Sequence, residues 1–494
     1  MDATAWFDRW WDEGAGMVGY PSVVGSPTNP YQRPGVPLVR ETATYAVALL
    51  ERGRQGDAER AARALESVLA HQIDDSRSVA HGTWRRSPLE PFPGDAPREW
   101  IDYDPNWREF VGSALALALH HEARLPPPTV AAIDAALRLA VEGTLARQLS
   151  AEYTNIALMS TFLLDYAGDR LGETAWQRAG ETLASEIDQG YRRTGAFPEH
   201  NSPTYYGVDL YGLALWRARA PSERLRARGA SLEEAFWRDL ARFYHPGLRN
   251  LCGPYSRAYG MDMTRYVAAL GCWIAPVVPS DRAPLPALGD AVPHAHDLFG
   301  LPLVGALETR PPEDVQRALL ALPGEQSIEQ TIAEHPRRVA TARLHAGAMW
   351  GGEDTSGRIV HWQHHPATLH WRRPDNAVGW LRVVTTAPVD ATATPTGLDV
   401  RVHTGLSWLR DADIPMGLEF DPESGPQLER SGEIFTLPGL RLRVRASLDL
   451  PWKRDLPWPR HGMPVTSEHI GLCLAAGTAP SAVELGIEVL ELPD

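Results

Sequence analysis

The chain has 494 residues, enough for two to four domains with a sizeable core. It carries 62 acidic against 48 basic residues, a formal net charge of −14, and no Lys/Arg-rich run stands out, so a nucleic-acid partner is excluded from the expectations. Cys252, Cys272 and Cys473 are widely spaced with no CxxC pattern, so they read as reduced thiols, neither a disulfide framework nor a metal finger.

The chain opens MDATAWFDRWWDEGAG, with acids where a signal peptide needs a basic and then an apolar region. No apolar run approaches the roughly 18–20 residues of a membrane-spanning helix. The expected compartment is the cytoplasm, with no membrane partner; a homo-oligomer is compatible with the sequence.

To about residue 275 the pattern is helical. ETATYAVALLERG, DAERAARALESVLAHQI, WREFVGSALALALHHEA, TVAAIDAALRLAVEGTLARQL, NIALMSTFLLDYAG and ETAWQRAGETLASEIDQGY are Ala/Leu-rich, with apolar residues recurring at three and four. Residues 276–336, with APVVPSDRAPLPALGDAVPHAHD and a helical EDVQRALLAL, read as a proline-rich linker with packing helices. From 337 to 494, short runs such as RRVATARLHAG, GRIVHWQHH, VGWLRVVTTA, GLDVRVHTG, LRLRVRASLDL and AVELGIEVLEL are separated by turn residues, as an antiparallel β-sandwich requires. The expected fold is α+β and multidomain.

Helix starts are expected at VPLVRE (36), DPNWRE (104), SAEYTN (150), NSPTYY (201) and YGMDMT (259), the spacing of helical hairpins that close into a toroid or stay open as a solenoid. Polar residues at the starts favour closure. Asp104-Pro105 and Ser202-Pro203 are cap and first-turn proline pairs. Around the starts stand Asn106 and Glu109, Tyr153 and Asn155, His200, Asn201, Tyr205 and Tyr206, then Arg257, Tyr259 and Asp262. If alternate helices line a ring in parallel, these groups share one mouth, where partial positive charge of the helix N-termini suits an anion such as a carboxylate. Tyr205 and Asp209, four apart, share a face; Tyr206 points about a quarter turn away.

Amides, a His, tyrosines and an Arg suit β-elimination from a uronic acid. The carboxylate must be neutralised so that the C5 proton becomes acidic, a base must take that proton, and an acid must protonate the leaving oxygen. The reaction needs no cofactor, and none is expected.

A helical toroid followed by an antiparallel sandwich, with Asn, His, Tyr and Arg at the mouth, resembles the (α/α)-toroid polysaccharide lyases of heparinase II/III, chondroitin AC and alginate lyase type. The architectural resemblance covers nearly the whole chain. It implies an enzyme acting on an acidic oligosaccharide or polysaccharide by metal-independent β-elimination. It also implies Asn155 or Asn201 as carboxylate neutraliser, His200 as neutraliser or base, Tyr205 or Tyr259 as acid or base, and Arg257 in support. The segment departs from the alginate-lyase Asn-Asn-His order, since His200 precedes Asn201.

Other residues complete the expected site. Trp84 and Arg86 in HGTWRRSP offer a sugar-stacking platform and a carboxylate clamp. Asn106, Glu109, Tyr206, Asp209, Tyr255 and Asp262 are further substrate-binding candidates. Trp362, His364 and Arg372 are the residues the second half could contribute. HAHD (294–297) and QHH (363–365) are fragments of metal-ligand patterns without a full set at recognised spacing, so they read as packing loops. The rival enzyme class is a toroid glycoside hydrolase with two carboxylates drawn from Asp102, Asp104, Glu109, Glu199, Asp209 and Asp262. A toroid isomerase or dehydratase and a non-catalytic carbohydrate-binding protein are the remaining alternatives.

Overall fold

The computed structural model describes residues 3–25, 29–289, 291–359, 361–411, 413–448, 452–454 and 469–492. The helices are α1 (Ala3–Asp8), α2 (Val39–Arg52), α3 (Asp57–Leu69), α4 (Trp107–Leu119), α5 (Pro127–Arg147), α6 (Thr154–Leu171), α7 (Thr174–Thr194), α8 (Tyr206–Arg219), α9 (Glu223–Phe243), α10 (Ala269–Ile274), α11 (Gly300–Leu307) and α12 (Glu313–Leu320).

Two kinds of helix alternate, and their sequences say why. In α6 every residue from Thr154 to Gly168 is buried, as befits a helix walled on all sides. In α7 only a stripe of Trp176, Gly180, Ala184, Ile187 and Tyr191 is buried, so it lies outside. Gly172 and Gly195 end these two helices in left-handed backbone, at φ 73° and 70°, where a Cβ is disfavoured. Helices α2, α4, α6 and α8 pack in succession, each against its outer partner α3, α5, α7 or α9. α10 packs on α8, and α11 packs on α8, α10 and α2. The inner ring is therefore closed, and its closing helices come partly from the stretch expected to be a linker. Among the described residues, no helix is long and apolar enough to cross a membrane.

Two small hairpins, β1 (Trp11–Asp12) with β2 (Met17–Val18) and β3 (Tyr244–His245) with β4 (Asn250–Leu251), decorate the helical half. The remaining strands are β5 (Gln326–Glu334), β6 (Arg337–Leu344), β7 (Ala348–Asp354), β8 (Ala367–Arg372), β9 (Val378–Thr385), β10 (Val389–Thr394), β11 (Gly397–Val402), β12 (Ile414–Phe420), β13 (Glu429–Ser431), β14 (Ile434–Leu437), β15 (Leu440–Ala446), β16 (Lys453–Arg454), β17 (His469–Leu474) and β18 (Val483–Glu491). They form an eight-stranded sheet, β16-β17-β12-β9-β8-β7-β6-β5, and a six-stranded sheet, β10-β11-β18-β15-β14-β13. All pairings are antiparallel. The larger sheet is sandwiched: one face shares a core of Trp350, Leu369 and Leu381 with the smaller sheet. Through Ile328, Ala342, Met349 and Trp380, its other face joins the core of the helical half.

Three local expectations differ from the structure. YGMDMT opens no helix, and the chain turns from 259 until α10 starts at Ala269. In GRIVHWQHH, the described residues 357–359 and 361–365 form no strand, apart from a bridge between His365 and Tyr255. The first long strand begins at Gln326, inside the stretch expected to be connector.

The seam between the halves is tight. A Cβ on Gly351 of β7 would meet the backbone oxygen of Gly253, and neither main chain can yield as a side chain could. Gly351→Ala is expected to lower stability by about 3 kcal/mol, read as a fall in Tm. The seam is also ionic. Burial raises the Glu353 carboxyl, but Arg338 and His364 outweigh it and hold it at about 2, with Arg338 Nε at 2.7 Å and His364 Nε2 at 3.0 Å. Arg338 also donates to the Pro198 carbonyl, 2.9 Å away, tying the sheet to the loop before α8. A carboxyl lowered on folding contributes stability above its unfolded value, and that stability is lost as pH falls through its folded value. Wild-type Tm is therefore expected to fall between about pH 4.5 and 2, with a shallower fall in Glu353→Gln.

Candidate functional site

The N-terminal turns of the inner helices converge on one cavity of about 690 Å³. α2 brings Arg40, Glu41 and Thr44; α4 brings Trp107 and Phe110; α6 brings Asn155; α8 brings Gly207, Val208 and Tyr211; α10 brings Cys272 and Trp273. Loops add Arg86, Trp100, Asp104, Asn106, Tyr153, Thr204, Tyr205, Arg257 and Tyr259. Residues 361–363 of the sandwich half add His361, Trp362 and Gln363.

Turn chemistry sets the entrances. The Asp104 carboxylate accepts from the Asn106 N–H (3.0 Å), and Ser202 Oγ accepts from the Tyr205 N–H (3.0 Å). Both caps act one turn early, so α4 starts at Trp107 and α8 at Tyr206, leaving Asn106 and Tyr205 at the rim. Ser202 Oγ in turn donates to the Arg257 carbonyl, which ties the 257 loop to the start of α8.

At the centre, Arg257 has four interactions. Its Nη1 pairs with Glu199 Oε1 (2.6 Å), Nη2 donates to the Tyr205 hydroxyl (2.7 Å), and Nε donates to Gln363 Oε1 (2.9 Å). Its guanidinium also lies 3.9 Å from the Tyr205 ring centroid. The Tyr205 and Tyr259 hydroxyls are 3.0 Å apart. Burial pushes the Tyr205 hydroxyl well above its ordinary value, Tyr259 adds to this, and Arg257 opposes it, so Tyr205 rests neutral. The other oxygen of Glu199 accepts from the backbone and side-chain amides of Asn155. Nearby, Asn106 donates to the Tyr153 hydroxyl (2.8 Å) and accepts from Arg147 (2.7 Å).

The cavity's charges are balanced by pairing. Arg86 Nε is 2.6 Å from Glu90, and Arg40 is 2.5 Å from Glu41 while lying over the Trp107 and Phe110 rings. The Asp104 carboxyl is raised by burial. Against the Tyr259 ring, His294 stacks at 4.8 Å, with His296 and Asp297 beside it. Burial lowers the two imidazoles to about 4 and about 3, leaving both neutral.

Of the residues singled out in the sequence, Asn155, Tyr205, Arg257, Tyr259, Arg86 and Asn106 line the cavity, and so do Tyr153, Trp362, Asp104, His294, His296, Asp297 and Gln363. The following candidates do not. His200 is buried edge-on to Phe243, and burial lowers its imidazole to about 3. Asn201, at φ 51°, donates to the Cys252 and Pro254 carbonyls, holding the turn. Trp84 and Tyr206 are core residues. Glu109 accepts from Thr144 and Ser160, and Tyr255 donates to the Leu251 carbonyl. Asp262 accepts from Asn250 and Thr264. Asp209 is fully buried with neither oxygen hydrogen-bonded, and burial raises its carboxyl well above the ordinary range. His364 binds Glu353, and Arg372 lies beside Gly247. Arg40 and Glu41 were open to the same helix-start reasoning, since they stand in VPLVRE. His361 carries no local signal, and Gln363 stood out only within QHH, because a loop from the other half delivers them.

The architecture defines a two-part protein: a closed ring of helical hairpins whose inner helix starts face one cavity, roofed by a loop of an antiparallel sandwich. The chain belongs to the family described as a domain of unknown function, DUF8769, whose profile matches residues 1–309. That span ends just past α11, the helix that closes the ring. No curated protein matches the chain. Among solved structures it is similar to the heparinase III BT4657 gene product, at 10% identity over 99% of this chain and 84% of that one, with a TM-score of 0.38. A second heparinase III structure is similar at 8% identity over 95% and 78%, with a TM-score of 0.43. Endoglucanase CelQ from Clostridium thermocellum complexed with cellotriose follows at 11% over 92% and 83%, with a TM-score of 0.24. At such identities and scores, no chemistry carries over from these structures to this chain.

Proposed function

We propose that the protein is a carbon–oxygen lyase that cleaves a uronic-acid-containing oligosaccharide or polysaccharide by β-elimination, acting in the cytoplasm. The observation that carries this reading is the Tyr205 hydroxyl, held by Arg257 at 2.7 Å and Tyr259 at 3.0 Å on the cavity wall. Two hydroxyls in contact can relay a proton. Tyr259 takes the C5 proton while its own proton passes to Tyr205, whose proton goes to the leaving oxygen. The C4–O bond breaks as a C4=C5 double bond forms, and each tyrosine ends with as many protons as it began with. Arg257 stabilises negative charge on Tyr205 during transfer. The inner-helix N-termini, with Asn155 and Arg257, face the substrate carboxylate, and Trp100, Trp107 and Trp362 offer sugar-stacking faces.

A panel of uronate-containing glycans, followed continuously in the ultraviolet, tests the reading. The expected result is rising absorbance from the new double bond on at least one substrate. New reducing ends without absorbance, lost in Asp104→Asn, would move the assignment to hydrolysis, which the raised Asp104 carboxyl favours. Saccharide binding with neither signal would leave a binding protein.

A further inference from the structure

We propose that His294, His296 and Asp297 bind a divalent ion of the zinc type on the cavity wall. The three residues sit on one tight turn: His294 adopts left-handed backbone at φ 55°, and residues 295–299 continue as a single 3-10 turn. The turn throws side chains at the first, third and fourth positions to one side. An imidazole nitrogen from each histidine and a carboxylate oxygen of Asp297 lie within 4.8 Å of one another. His296 Nε2 is 3.5 Å from Asp297 Oδ1, and His294 Nδ1 is 4.0 Å from Asp297 Oδ2. Ligands about 2.0–2.1 Å from a tetrahedral zinc stand roughly 3.4 Å apart, so small rotations complete the set.

Two further observations point to a ligand. The His294 nitrogen that stands toward Asp297, Nδ1, is buried without a hydrogen-bond partner, an arrangement that costs stability unless something is bound; His296, 6% exposed, turns Nε2 toward Asp297 with Gln32 Nε2 3.1 Å away as its other neighbour. The nearest cation, Arg40, is 3.9 Å from Asp297 but 2.5 Å from Glu41, so the Asp297 charge is left largely for another partner. Two imidazoles and one carboxylate favour zinc over calcium or magnesium. Three protein ligands leave a fourth position for water or an anionic oxygen. Because His294 stacks on Tyr259, an ion here sits one ring from the hydroxyl pair, where it would accept a substrate carboxylate. That last role rests on the lyase reading, whereas ion binding does not.

The test uses the full chain without a histidine tag, stripped with chelator and titrated with ZnCl2 by calorimetry and with CoCl2 by visible absorption. One ion per chain is expected, with the strong visible bands of four-coordinate cobalt. Affinity should fall at least about tenfold in each of His294→Ala, His296→Gln and Asp297→Asn, with near-ultraviolet circular dichroism confirming the fold. Tyr205→Phe should bind the ion as wild type does, even if the lyase assignment fails. In wild-type protein, Zn2+ should block carbethoxylation of His294, read by peptide mass. Absent binding, binding unchanged in all three variants, or unprotected His294 would each overturn the proposal.

Discussion

Tyr205→Phe is expected to lower kcat by about 10²–10⁴-fold on a uronate glycan while leaving KM nearly unchanged. The substitution removes one oxygen and keeps the ring that Arg257 covers at 3.9 Å, so the fold and the cavity shape survive. What is lost is the acceptor of the Arg257 hydrogen bond and the neighbour of the Tyr259 hydroxyl. Since the two hydroxyls act as one relay, Tyr259→Phe should cost as much, and the double variant little more than either single one. Steady-state ultraviolet assays on all three variants check this. Full activity in Tyr205→Phe would remove the relay. A loss confined to KM would make Tyr205 a binding residue.

The second large effect concerns Arg257. It neutralises Glu199, whose side chain is 8% exposed against 26% for the arginine, and it also orients Tyr205 and Gln363. Arg257→Ala leaves a nearly buried carboxylate unpaired, which is expected to cost about 3–5 kcal/mol and to abolish turnover. Adding Glu199→Gln removes the uncompensated charge, so the double variant should recover most of the stability, as read by Tm. It should stay inactive, because Tyr205 still lacks its cation. Recovery of both properties would show that Arg257 acts only through the fold. Arg257→Lys should keep the ion pair and lose the bidentate reach to Tyr205, separating stability from rate.

How far the site could be read from sequence depends on the distance over which each part is specified. Ser202 and Asp104 are local signals: a short polar side chain before a proline must cap something, and both cap the turns that place Tyr205 and Asn106 at the rim. His200 and Asn201 share that stretch but turn inward, since the left-handed backbone at Asn201 and its bonds to Cys252 and Pro254 point the pair at the seam. A linear motif does not distinguish the inward-facing residue from its neighbour, because one turn of φ decides it. Asp209 shares a helix face with Tyr205 in principle, yet it lies behind the cavity, fully buried.

The sequence by itself determined the helical periods, the change to strands, and the polar helix starts, because 3.6- and 2-residue repeats and caps are set by neighbours a few positions apart. Only the tertiary structure decided that α10 and α11 close the ring and that YGMDMT is a turn beside Tyr205. It also decided that a loop of the sandwich carries Trp362 and Gln363 into the helical half, and that the turn bearing His294 stacks against Tyr259. Each of these joins residues tens to more than a hundred positions apart, as the Arg257 to Gln363 bond does. Such contacts form because burying both faces of the larger sheet and the inner helices leaves one arrangement of the connecting loops.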